Sequence, residues 1–163
     1  HFMKAASLKE IKTELENLPP AELLRLALRL TKFKKENKEL LTYLLFEASD
    51  EQSYVRSVNE MLDELFAEVN TKSIYIAKKN LRKIVRMAGR YIKYSDVETT
   101  EPDVLIHVCQ KIKELPINIK RYAALLNLYQ SQVKKISKAV GGMHEDIQYD
   151  YLKIIAELND LEH

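Results

Sequence analysis

Glycine and proline are scarce in this sequence: three and four among 163 residues. Strand-rich folds need many tight turns, and turns draw on Gly, Pro, Asn and Asp. The shortage excludes a sheet-rich fold and predicts long helices with few connections. A single cysteine, Cys109, excludes an internal disulfide and fits a reducing, cytoplasmic compartment. No run approaches the roughly 18 apolar residues of a membrane span, so no membrane is expected among the partners. His1-Phe2-Met3-Lys4 has no apolar leader core, and no secretory signal is expected. Charge of one sign does not dominate either, because 26 basic side chains face 24 acidic ones.

Catalytic and phosphate-binding patterns are absent too. Gly141-Gly142 stands in neither a Gly-x-x-x-x-Gly-Lys-Ser/Thr run nor a Gly-x-Gly-x-x-Gly run, and reads as a helix stop. His107 and Cys109 are two apart on a helix and diverge by about 200°, so they cannot grip one ion or share a proton. Cys109 groups with Val104, Leu105, Val108 and Ile112 as a small buried hydrophobe. His107 groups with Asp103, Lys111 and Glu114 on what is expected to be a solvated face. His144-Glu145-Asp146 fan around their helix, and Gln148 stands where a zincin would need its second histidine. His144 is therefore expected at the edge of the core. His1-Phe2 resembles a cloning remnant and Leu161-Glu162-His163 the start of an affinity tag, so neither enters a functional argument. The expectation is no metal, no cofactor and no catalysis, with an enzyme site assembled from distant residues as the remaining alternative.

What the sequence has is helical period. At 46% apolar and 31% charged it is globular in composition, and a chain this long can bury roughly 68–70% of its unfolded surface. It is read as one all-α domain, 1–163, with a candidate subdivision near 95–100. Ser7-Leu8-Lys9-Glu10 is a capping box opening the first helix, which must stop before Pro19-Pro20. Pro20 suits the first turn of a second helix, to about Phe33. After a polar turn at 34–37, a third is predicted over 39–48. Asp50 caps a fourth, to about Val69, and a fifth runs from Ile74 to Tyr94. A sixth, capped by Thr99 or Thr100, ends before Pro116. A seventh is predicted over 119–140 and an eighth over 143–161. The second and third carry apolar residues around more than half their girth, which marks a helix central in the fold or covered by a partner.

The span Ala21 to Ala48, AELLRLALRLTKFKKENKELLTYLLFEA, resembles a hairpin of the HEAT and armadillo families: a Leu-rich helix, a short polar turn and a second Leu-rich helix. The resemblance implies a short α-solenoid-like stack that binds other macromolecules. An irregular bundle of antiparallel hairpins accounts for the same residues.

Charge is segregated along the chain. From Lys72 to Tyr94 there are eight basic residues and no acidic one. Lys72, Lys78, Lys79, Arg82, Lys83, Arg86, Arg90 and Lys93 fall within an arc of about 140°, with Tyr75 among them. Lys120, Arg121, Lys134, Lys135 and Lys138 add a second basic face. Glu60, Asp63, Glu64 and Glu68 lie opposite the apolar arc of the fourth helix, and Asp146, Asp150, Glu157 and Asp160 make the last helix acidic. If the fourth and fifth helices pair through their apolar sides, both charged faces point outward. Tyr149, off the apolar arc of the last helix, is an interface candidate. These features predict a non-catalytic interaction module with a protein partner, acidic where it meets the fifth helix. Phosphate-backbone binding to nucleic acid is the alternative reading, and a second copy of the chain is a further candidate partner.

Overall fold

Helix makes up 78% of the chain in the computed structural model, which describes residues 2–162, and no strand occurs among the described residues. His1 and His163, read above as end remnants, lie outside them. The contacts divide the chain into two compact units, 1–45 and 46–163.

In the first unit, α1 (Leu8–Glu16) starts at the predicted capping box, with Ser7 Oγ accepting from Glu10 N–H at 3.2 Å and Ser7 N–H donating to Glu10 Oε2 at 3.3 Å. α2 (Pro20–Phe33) and α3 (Lys35–Thr42) pack on each other as a hairpin. The polar turn expected over four residues shrinks to Lys34 alone. Asn37 explains this: its side-chain amide donates to the Leu30 carbonyl at 2.7 Å, satisfying one acceptor that the end of α2 leaves open. A π-helical turn, Tyr43–Glu47, follows α3. Neither α2 nor α3 is central, contrary to one reading of their leucines, since no residue of α1, α2 or α3 is buried.

The second unit holds α4 (Glu51–Ala67), α5 (Ile74–Tyr94), α6 (Thr100–Glu114), α7 (Ala123–Gly141) and α8 (Glu145–Asn159). Its centre is α6, which packs against the other four. Val104, Leu105, Ile106, Val108, Cys109 and Ile112 are all buried. They span about 200° of the helix, so this helix, rather than α2 or α3, is apolar around most of its girth. Each buried aliphatic side chain contributes about 1.5–3 kcal/mol over its exposed state. α4 supplies Tyr54, Val58, Leu62 and Phe66, and α5 supplies Ala77, Leu81, Ile84 and Ala88.

Polar ties hold the helix ends. Asp50 Oδ1 caps α4 through Ser53 N–H, and Ser73 Oγ caps α5 through Ile76 N–H. Thr99 stands at the N-cap of α6 but its hydroxyl caps nothing. Thr100 and Ser95 instead donate to Glu51 Oε1, at 2.8 and 2.5 Å, and fasten the α5–α6 loop to α4. The seventh helix begins later than expected, because a 3₁₀ turn at Ile119–Arg121 precedes it. The eighth is shorter at both ends than predicted. His144 is its N-cap, with Nδ1 accepting from Asp146 N–H at 3.2 Å, and Lys113 Nζ donates to the Glu157 and Asp160 carbonyls where it stops.

Candidate interaction surface

The fifth helix keeps its apolar side in the core and presents cations outside. Lys79, Arg82, Lys83, Arg86 and Lys93 are exposed, while Lys78 and Arg90 are half-buried at the flanks. Lys72 is exposed in the connection before the helix. Among the described residues, none of Lys78, Lys79, Arg82, Lys83, Arg86 and Lys93 has a carboxylate within ion-pair distance. Tyr75 is 67% exposed, and the Lys79 ammonium lies 4.4 Å from its ring centre. The Arg90 guanidinium lies 5.4 Å from the Tyr91 ring. From Lys78 to Lys93 the face runs about 22 Å along the helix axis.

Glu60, Asp63 and Glu64 of α4 make no ion pair with the exposed cations of this face among the described residues. Glu60, Glu64 and Glu68 are exposed, and Asp63 turns to α6, where its Oδ1 stands 2.6 Å from His107 Nε2 and 3.9 Å from Lys111 Nζ. This corrects the expectation for His107, which is half-buried and paired rather than solvated. Its position two residues from buried Cys109 already separated their directions.

Beside the basic face lies a groove of about 540 Å³, between α5, the first two turns of α6, and α7. Val85, Ile92, Leu105 and Ala139 make its apolar lining. Lys93, Lys135 and Lys138 also line it, with Glu101 as the one carboxylate. The groove therefore joins the basic face of α5 to that of α7, where Lys134, Lys135 and Lys138 are exposed. Two of its residues carried no functional reading in the sequence. Gly89 lines the wall on α5, and a Cβ added there meets nothing within 4 Å. Gln132 lines it from α7, only 3% exposed, and its Oε1 accepts no hydrogen bond from the described residues. A glycine inside a strongly periodic helix was the one available signal. Gln132 offered none, since a lone glutamine ordinarily reads as surface.

The first unit carries a surface of another kind. Leu23, Leu24, Leu28, Leu30 and Phe33 of α2 are exposed, Leu30 at 64% and Phe33 at 76%. Large apolar side chains left exposed in such number on one helix are the kind of surface that a contact covers.

The groups weighed for chemistry are elsewhere. Cys109 is fully buried, and burial pushes its thiol up to about 12, far from a reactive thiolate. Tyr129 donates to the Leu158 carbonyl at 2.6 Å and Tyr151 to Asp103 Oδ1 at 2.6 Å. Burial raises both phenols further. His144 is an exposed cap, not a residue at the core edge, because its ring closes the first turn of α8. Among the described residues no three His, Cys, Asp or Glu side chains gather as metal ligands, and no helix is long and apolar enough to cross a membrane. Tyr149 is exposed on α8. No family model, curated protein or solved structure matches this chain.

Proposed function

We propose that the protein is a non-catalytic helical interaction module of the cytoplasm that holds an acidic face of another protein on α5. One observation carries this: Lys79, Arg82, Lys83, Arg86 and Lys93 stand exposed on one helix with no carboxylate in ion-pair range among the described residues. Unpaired cations in a row repel one another and add nothing to folding, whereas a complementary partner turns them into steering charge and contact. The exposed leucines of α2 favour a protein as that partner, since apolar area offers no gain to a phosphate backbone. The likeness of 21–48 to a HEAT or armadillo hairpin agrees in kind with a scaffold. The lone reduced, buried cysteine supports the compartment.

A phosphate backbone is the second reading, favoured by Tyr75 exposed among the cations, an arrangement suited to base stacking.

The test is cross-linked capture from native cells with the wild-type chain and with Lys79→Glu, Arg82→Glu, Lys83→Glu and Arg86→Glu combined, each with and without nuclease. The proposal expects a stoichiometric protein partner that survives nuclease and is lost from a variant of unchanged helicity. Capture lost to nuclease moves the reading to nucleic acid, and capture untouched by the four reversals refutes both.

A further inference from the structure

We infer that the groove between α5, α6 and α7 is a binding site for a short peptide segment carrying a carboxylate beside an apolar side chain. It rests on the proposed acidic-partner reading and names which part of the partner is gripped. At about 540 Å³ the groove has the size of sites that enclose a discrete ligand.

Gln132 decides the chemistry of the occupant. A buried acceptor almost always has a donor, yet Gln132 Oε1 has none among the described residues, while its Nε2 donates weakly to the Leu128 carbonyl at 3.3 Å. The terminal torsion of a glutamine is broad, so a small rotation presents the oxygen to a donor lying in the groove. A peptide supplies such donors along its main chain. A phosphodiester backbone or a fatty-acid carboxylate brings acceptors only.

The walls set the remaining requirements. Lys93, Lys135 and Lys138 against Glu101 give three ammonium groups to one carboxylate, which selects an acidic side chain. Val85, Ile92 and Leu105 offer an apolar side chain a dry seat. Gly89 clears the wall between them. Glycine weakens a helix interior, and no neighbour forbids a side chain at this position. What its absence of a side chain leaves is room for another backbone to approach closely.

The test titrates ¹⁵N-labelled protein with a terminally blocked heptapeptide alternating Glu and Leu, its Gln-for-Glu counterpart, and a DNA duplex. The expected result is shifts at the Gly89 backbone amide and the Gln132 side-chain amide with the Glu peptide, and weaker ones with the Gln peptide. Gly89→Leu, which adds a side chain where a Cβ meets no neighbour within 4 Å, should weaken binding at least tenfold with helicity unchanged, and Gln132→Leu should weaken it several-fold. The four reversals on the outer face of α5 should leave the Gly89 and Gln132 shifts in place. Shifts confined to the outer face, with Gly89→Leu binding as before, overturn the groove and leave the wider reading standing. Duplex DNA that displaces the peptide from Gly89, or no shift at millimolar peptide, overturns the groove as well.

Discussion

His107 Nε2 on α6 stands 2.6 Å from Asp63 Oδ1 on α4, across 44 residues of chain. This pair, joined by Lys111, lets a helix with charged positions occupy the middle of the second unit. Both side chains are partly exposed, so the pair is worth little more than a surface contact. His107→Ala should lower unfolding free energy by about 1 kcal/mol. A double-mutant cycle with Asp63→Ala, followed by urea denaturation, should show coupling of about 0.5–1 kcal/mol. Additive losses would mean that the pair contributes nothing.

Cys109 should be chemically silent in the folded chain. Its thiol is pushed up to about 12 by burial alone, so almost none is thiolate near neutral pH. A disulfide reagent such as dithionitrobenzoate should label it only in denaturant. Cys109→Ser places a hydroxyl with no partner in an apolar site and should destabilise by about 1–3 kcal/mol. Labelling of native protein at the denatured rate would contradict this.

Asp103 gives a pH dependence of definite sign. Burial raises its carboxyl above the ordinary 3.8, and the hydrogen bond from Tyr151 pulls it only partly back. An acid whose pKa rises on folding holds its proton more tightly when folded. The stability so gained is fully present below the unfolded value and is lost as pH rises through the folded one. Asp103→Asn keeps an acceptor for Tyr151 and removes the buried charge. The variant should gain melting temperature over wild type at neutral pH, and the gap should close below the ordinary aspartate range. A gap that widens in acid would reverse the assignment.

The two leucine populations should behave oppositely. Leu24→Ser and Leu30→Ser on exposed α2 positions should each change stability by less than about 0.5 kcal/mol. Leu62→Ala, at a position with no exposure, should cost about 2–5 kcal/mol. Equal losses at the two kinds of site, read by urea unfolding, would mean that the α2 leucines are covered in the native protein.

The all-helical class was legible because caps and period agree: Ser7 with Glu10, and Asp50, open helices as their types predict. The basic face of α5 was legible for the same reason, since a single helix carries it and no distant residue is needed to draw it. The centre of the fold was not. Five leucines at 23–30 make α2 look as apolar as α6 with its six apolar residues from Val104 to Ile112, but α6 takes the central place, where Asp63 and Tyr151, from α4 and α8, satisfy His107, Lys111 and Asp103. Those pairings are tertiary and leave no local trace. The groove was hidden likewise, since Gly89 and Gln132 come from α5 and α7 and acquire meaning only when brought to one wall.

Lysine footprinting reports whether a partner occupies the basic face of α5. Native cells and the isolated chain are labelled with an amine-reactive ester, and modification of Lys79 and Lys83 is compared by mass spectrometry with that of Lys134, exposed on α7. Rapid labelling of Lys79 and Lys83 is expected in isolation and protection of both in cells, reversed at high salt as screening weakens the contact. Labelling of Lys79 and Lys83 at the same rate in cells as in isolation would contradict it.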